Sequence, residues 1–288
     1  MLLRPRQKEF VERSLEALIS YGNALGVAPT GAGKTILFSE VIGRYIKANS
    51  AKALVIAHRD ELTNQNKSKF SLVNPLISTS VFDSKNKSWN GQVTFAMVQT
   101  LSLEANINTM PSIDLLVIDE AHHAAANTYR IIIEKALQLN PNCIVFGVTA
   151  TPNRSDGKGL RDVFSNVCDQ ISLGELIRSG HLVTPRTFVI DVGVKKQLSG
   201  VRRLGSDFDM NAVDQIMNQR PINSAVVDQW LEKGENRQTV VFCSTVKHAE
   251  AVTEAFNQQN IIAETITGEL TSVERANILK RYADNEIK

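Results

Sequence analysis

The sequence predicts an α/β protein built on parallel sheets, and three observations lead there. Short apolar runs alternate with amphipathic helical segments along most of the chain. Most of those runs are continuous Leu, Ile and Val stretches rather than alternating ones, as in strands buried on both faces. The chain has 288 residues, 43% of them hydrophobic and 22% charged, enough for one large domain or two modest ones, each with its own core.

The elements follow in order. A helix begins at Pro5, with Phe10, Val11, Leu15, Leu18 and Ile19 on one face and Gly22 as its stop. Strands are expected at residues 25–28, 53–57, 93–97, 115–118 and 144–148, separated by helical segments. A second series starts near Thr187, with a strand at 188–192 and a polar, glycine-bearing stretch at 198–209. Then come a helix led by Pro221 and running to Lys233, a strand at 239–243, a helix at 247–258 and a strand at 261–266. The last helix opens at Thr271, with Glu274 three residues on in a capping-box pattern, and ends near Tyr282. These boundaries divide the chain into a first lobe at 1–185 and a second at 186–288. A βαβ series would carry the final helix over to a further strand, so the second lobe is expected to be incomplete.

Composition narrows the function classes. The formal net charge is +2, so no global positive field announces nucleic acid, and such a partner would have to be held by a local surface. Cys143, Cys168 and Cys243 form no CxxC pair and no metal-type spacing with histidine, which reads as three structural thiols in a reducing compartment. No apolar run approaches the ~18 residues of a membrane span, and the N-terminus lacks a signal-type stretch; the expected location is cytoplasmic.

The strongest chemical signal is residues 28–35, APTGAGKT. A strand runs into a glycine-bearing turn and then into a helix. Gly31 and Gly33 let the backbone N–H groups of Thr30, Ala32 and their neighbours curl around a phosphate, and the helix N-terminus adds its dipole. In such a loop Lys34 reaches the β- and γ-phosphates and the Thr35 hydroxyl ligates magnesium; Ala28 stands where the strict pattern has glycine. The strand at 115–118 ends on Asp119 and Glu120, at the sheet edge where ligands of open α/β sheets bind. Asp119 is expected to hold the magnesium, and Glu120 to orient and deprotonate an attacking water.

Asp119-Glu120-Ala121-His122 resembles motif II of the superfamily 2 helicases, in its DEAH form. Other segments resemble family motifs in matching order. Residues 3–7 (LRPRQ) resemble the glutamine motif, in which Arg4 and Gln7 would meet the adenine. Residues 56–59, with His58 and Arg59, resemble motif Ia, and Thr100 falls at motif Ib. Thr149 to Pro152, with Thr149 and Thr151, resemble motif III, and Ser244 and Thr245 lie in a segment similar to motif IV. The resemblance implies two RecA-like lobes with parallel sheets, an ATP-dependent helicase or translocase, ATP and Mg2+ as cofactors, and nucleic acid as partner. The APTGAGKT and TATP forms look more like the DNA-repair, phage and restriction-motor branch, so DNA is favoured over RNA.

His122 is expected, by resemblance, to couple the nucleotide and nucleic-acid sites. A metal pair with His123 is rejected, because adjacent histidines on a helix point apart. Motifs V and VI have no match before Lys288. The arginines of motif VI complete the family's ATP site, so the chain is expected to bind ATP far better than it hydrolyses it. Two alternatives stay open: a hydrolysis-deficient nucleotide- and nucleic-acid-binding module, and a different P-loop enzyme such as a kinase. Lys85, Lys87 and Trp89 mix cations with an aromatic in a loop, which suits base stacking or, more simply, a packed tryptophan.

Overall fold

The structure is a computed structural model that describes residues 2–58, 60–152, 160–204 and 207–288, without the side chains of Asp60 and Glu61. Arg59 and the polar segment 154–158 lie outside the described residues. The chain divides into two compact units, residues 1–185 and 186–288.

In the first unit the elements run α1 (Pro5–Tyr21), β1 (Asn23–Val27), α2 (Lys34–Asn49), β2 (Ala53–Ala57), α3 (Asp60–Val73), β3 (Thr79–Phe82), β4 (Val93–Met97), α4 (Val98–Leu101), α5 (Glu104–Ile107), β5 (Leu115–Asp119), α6 (Asn127–Leu139), β6 (Ile144–Thr149), β7 (Val167–Gln170) and α7 (Leu173–Arg178). All seven strands join one parallel sheet in the order β3-β4-β2-β5-β6-β1-β7. Successive side chains of a strand face opposite sides. Val55, Val117, Phe146 and Val148 therefore enter a core with Phe10, Val11 and Leu18 of α1, Leu37, Phe38 and Val41 of α2, and Phe70 of α3. Leu54, Ile56, Leu116, Ile118 and Val145 enter the other core, against Tyr129, Ile132 and Ala136 of α6. Burying one such Leu, Ile or Phe contributes about 1.5–3 kcal/mol, and burial on both faces explains the continuous apolar runs.

α1 starts on Pro5 and stops at Gly22, whose φ of 73° is left-handed and whose N–H bonds the Leu18 carbonyl at 3.0 Å. Ile19, expected on the buried face, is 78% exposed: at ~100° per residue it falls just beyond the stripe held by Leu15 and Leu18. β3 and β7 escape the sequence pattern, and both are edge strands. An edge strand is free of the demand for a continuous apolar run, and β7 reads VCDQ with only Asp169 buried.

The second unit holds α8 (Lys195–Ser199), the two-residue antiparallel pair β8 (Arg203–Leu204) and β9 (Asp207–Phe208), α9 (Met210–Met217), α10 (Arg220–Lys233), α11 (Val246–Gln258) and α12 (Ser272–Ala283). α10, α11 and α12 match expectation, down to the Thr271–Glu274 capping box of α12, while α8 and α9 were not expected. The runs 188–192, 239–243 and 261–266, expected as strands, carry no ladder among the described residues. Lys288 meets two of them: its carbonyl accepts from Thr239 N and its own N–H bonds the Ile262 carbonyl. Lys288 thus bonds one residue of each of the runs 239–243 and 261–266. Farther along, the same two segments flank a cavity of about 390 Å³ that also touches Trp230, Val252 and Phe256.

Candidate functional site

The tips of the strands assemble the site. Sheet order sets the carboxyl ends side by side, so residues at or just beyond the ends of β4, β2, β5, β6 and β1 form a row: Gln99, His58, Glu120, Thr149 and the loop from Ala28. That loop is tied to its neighbour by Ala28 N, which donates to the Thr149 carbonyl at 2.9 Å. Gly31 and Gly33 take φ of 90° and 84°, left-handed values that cost other residues about 1–2 kcal/mol. Gly33 caps α2 and accepts at its carbonyl from Ile36 N and Leu37 N, which leaves the N–H groups at the start of that helix aimed at the loop. A Cβ on Gly31 would sit 2.7 Å from Leu182, and one on Gly33 2.9 Å from the Gln7 amide.

Lys34 opens α2 and sends its ammonium to Glu120, Nζ to Oε1 3.6 Å. Thr35 and Asp119 are joined through a residue the sequence reading passed over. Asn66, on α3 and 1% exposed, accepts from the Thr35 hydroxyl at 3.3 Å and donates to Asp119 Oδ2 at 2.7 Å. The other Asp119 oxygen accepts from Glu120 N at 3.0 Å. Burial pushes the Asp119 carboxyl above the usual carboxylate range, opposed by the bond from Asn66. Glu120 itself holds a left-handed conformation, φ 52° and ψ 53°, which a non-glycine residue adopts only under local constraint.

The donor set fits magnesium. It consists of the Thr35 hydroxyl and the Asp119 carboxylate, both hard oxygen ligands, the carboxylate buried. Among the described residues there is no group of three or more His, Cys, Asp or Glu side chains able to cage a metal. A cation here would therefore take few protein ligands and fill its shell with water and phosphate oxygens, as magnesium prefers to do.

His122 bridges two strand tips: its Nδ1 lies 3.1 Å from the Thr149 hydroxyl and 3.3 Å from Glu120 Oε2. The expectation that the adjacent histidines point apart is corrected. Residues Ala121–His123 form a 3₁₀ turn rather than an α-helix, and the two ring centroids are 4.1 Å apart. His58 is exposed at the end of β2, bonded by the Gln99 amide, while Thr100 is buried within α4. Thr149 is fully buried, and its hydroxyl binds the Thr151 backbone.

Gln7 reaches the loop directly: Oε1 accepts from Arg4 N at 3.0 Å and Nε2 donates to the Ala32 carbonyl at 2.9 Å. One N–H and one lone pair remain for a ligand. Beside it opens a cavity of about 480 Å³, lined by Arg4, Gln7, Ala32, Leu176, Arg178 and His181 among others. Its wall is braced by Arg6, which forks onto Asp169 (2.5 and 2.9 Å) and also bonds Glu175. Thr30 is exposed at the loop's rim. In the second unit, Thr245 caps α11 by accepting from His248 N, and Ser244 bonds the His248 ring at 2.9 Å. Trp89 packs on Phe82 and donates to Thr109, so it is a packed tryptophan.

Comparison with known proteins supplies the relatives. A family model described as "Type III restriction enzyme, res subunit" matches residues 1–154, and one described as "Helicase conserved C-terminal domain" matches 222–288. A Saccharomyces cerevisiae protein that carries the name of an ATP-dependent helicase, IRC3, is 26% identical over 299 residues, covering 99% of this chain and 43% of the relative. A Schizosaccharomyces pombe protein named as a mitochondrial ATP-dependent helicase, irc3, is 31% identical over 293 residues, covering 97% of this chain and 47% of its own. The chain therefore spans less than half the length of these relatives. Among solved structures, an ATP-dependent Type ISP restriction-modification enzyme, LlaBIII, bound to DNA, aligns over 99% of this chain and 23% of its own, with a TM-score of 0.67 and 14% identity, a likeness of fold. No described helix is long and apolar enough to cross a membrane.

Proposed function

This chain belongs to the Type III restriction enzyme res subunit family, within the superfamily 2 helicases, and from that premise we propose that it is the nucleotide-binding part of an ATP-dependent nucleic-acid motor. The observation that supports it best is the meeting of Lys34, Thr35, Asp119 and Glu120 at one sheet edge, with Asn66 joining the hydroxyl to the carboxylate. In this reading residues 1–185 form the ATP-binding lobe and 186–288 belong to a second RecA-like lobe.

The backbone N–H groups of residues 30–35 receive the phosphates, and Lys34 leaves Glu120 to bind their outer oxygens. Thr35 and Asp119 would hold magnesium, which would supply positive charge beside the phosphates. Glu120, released by Lys34, turns its carboxylate to an attacking water and takes its proton. His122 and Thr149 sense that carboxylate and link it to the neighbouring strand tip. Arg4 and Gln7 meet the adenine beside the Ala32 carbonyl. His58, together with Arg59, Thr100 and Thr151, serves the nucleic-acid face of the first lobe, and Ser244 and Thr245 that of the second. DNA is the favoured partner, in keeping with restriction-type relatives and a structural neighbour named as bound to DNA.

The test is ATP turnover with and without single-stranded DNA, beside Lys34→Ala, together with melting in ATP–Mg2+. At ~100-fold excess over Kd, binding adds about 2.7 kcal/mol, and the Lys34 variant should show none of it. DNA-stimulated turnover that disappears in the variant supports the motor. Lys34-dependent binding without turnover points instead to a hydrolysis-deficient binding module, and phosphate transfer to a small acceptor to a kinase.

A further inference from the structure

The strand tips carry a column of flat rings, of which His123 and Tyr129 have no part in the function proposed above. β2 and β5 are neighbours in register, Ile56 opposite Ile118, so His58 and the turn after Asp119 leave the sheet side by side. His123 lies between two other histidines: its ring is stacked on His58 at 5.0 Å with 22° between planes, and meets His122 at 4.1 Å. The ring of Tyr129, buried in α6, backs it at 6.1 Å. At one end of the column the Gln99 amide touches His58, at the tip of β4. At the other end His122 touches Glu120 and the Thr149 hydroxyl, at the tips of β5 and β6. One unbroken line of side-chain contacts therefore runs from the exposed His58 to the carboxylate beside Lys34.

We propose that His123 is a positioning residue that couples nucleic acid bound at His58 to Glu120, through the stacked rings of His58, His123 and His122. The inference rests on the nucleotide-site reading given above. A close-packed ring held between two others cannot tilt without displacing or unstacking them. A nucleic acid that reorients His58 therefore moves His122, which shares Glu120 and Thr149. The reverse holds too: when Lys34 turns to phosphate, Glu120 and His122 rearrange and the change returns to His58. Thermodynamic linkage requires the coupling to be equal in both directions. Among the described residues the buried Tyr129 hydroxyl has no hydrogen-bond partner, which marks the same place as one whose polar demand is unmet in this arrangement.

The experiment measures single-stranded DNA affinity with and without a non-hydrolysable ATP analogue and Mg2+, for the wild type and for His123→Ala, His123→Leu and His123→Phe. The chain has only five histidines, so ¹³C-labelled imidazole signals can be followed in the same samples, with His248 of the second unit as the reference. The wild type should show a coupling of about 5–150-fold between the ligands, and a shift of the His58 signal when nucleotide binds. In the Ala and Leu variants the ratio should fall towards one and the His58 shift should vanish, with each single affinity little changed. Phe, which restores a flat ring, should restore both. Undiminished coupling in His123→Leu, or no rescue by Phe, overturns the proposal. A wild type that binds nucleotide and DNA independently overturns it while leaving the nucleotide site intact; one that binds no nucleotide overturns the functional reading, and this inference with it.

Discussion

Replacing Asn66 by alanine tests the logic of the site more sharply than replacing any of the expected ligands. The side chain is 1% exposed and makes two bonds, one from the Thr35 hydroxyl at 3.3 Å and one to Asp119 at 2.7 Å. The longer bond is neutral and weak; the shorter is charge-assisted and worth about 1.5–3 kcal/mol. Its loss leaves the buried Asp119, among the described residues, with only the Glu120 N–H as donor. The nucleotide-free protein should lose about 1.5–3 kcal/mol, which for a unit of this size corresponds to about 3–12 °C in melting temperature. The ligands would also lose their orientation, so the magnesium concentration for half-maximal nucleotide binding should rise about 10–100-fold. Because Asn66 opposes the effect of burial on Asp119, its removal lets that carboxyl hold a proton to still higher pH, and the magnesium defect should ease as pH is raised. The assay is a titration of fluorescent ATP analogue against Mg2+ at two pH values, with calorimetry of the free protein. An Asn66→Ala protein with unchanged magnesium requirement would refute the reasoning, whatever its melting temperature.

Three further outcomes can be checked. Gly33→Ala forces an alanine into φ 84° and drives its Cβ to 2.9 Å from the Gln7 amide; it should cost at least about 1–2 kcal/mol in urea unfolding and weaken adenosine nucleotides more than inorganic triphosphate. Asp169→Ala removes the nearly buried partner of Arg6 and Arg13; since both arginines are partly exposed, about 2–3 kcal/mol of stability should go, below the full value for a buried pair. As for pH, the Ser172 N–H and hydroxyl, with Arg6, hold Glu175 from its ordinary 4.5 down to about 2, and Arg6 holds Asp169 low against its burial. Depressed carboxyls add stability that is complete above their unfolded values and lost as pH falls through the folded ones, so urea midpoints should drop from about pH 4.5 towards 2. Asp119, raised by burial, works in the opposite sense, and the Asp169→Ala protein should show a shallower decline.

Legibility in the sequence followed physical demand. The five inner strands announced themselves because burial on both faces requires unbroken apolar runs; the edge strands β3 and β7 carry no such requirement and were silent. Lys34, Thr35, Asp119 and Glu120 were visible because a glycine-bearing loop before a helix and a carboxylate pair after a strand are legible patterns, and the structure brings them to one sheet edge. Asn66 was invisible: it sits in a polar stretch, NQNKSK, and only the tertiary approach of α3 to β5 tells it from its neighbours. The pairing of His122 with His123 was misread because a 3₁₀ turn replaced the helix assumed there. In the second unit, residues 239–243 and 261–266 have strand composition, yet composition does not supply the ladder partner a strand needs, and among the described residues these runs have none.

Glu120, the base in the function proposed above, holds a backbone conformation that suits glycine or asparagine far better than glutamate. Stability alone would erode it: a change to Gly would relax the turn by up to about 1 kcal/mol while removing the carboxylate. A thermostability screen run without nucleotide should therefore enrich substitutions at this position and return steadier proteins that no longer work. Any effort to stabilise this chain for structural or practical use has to hold residue 120 fixed, because there the fold's own preference and the site's need pull in opposite directions.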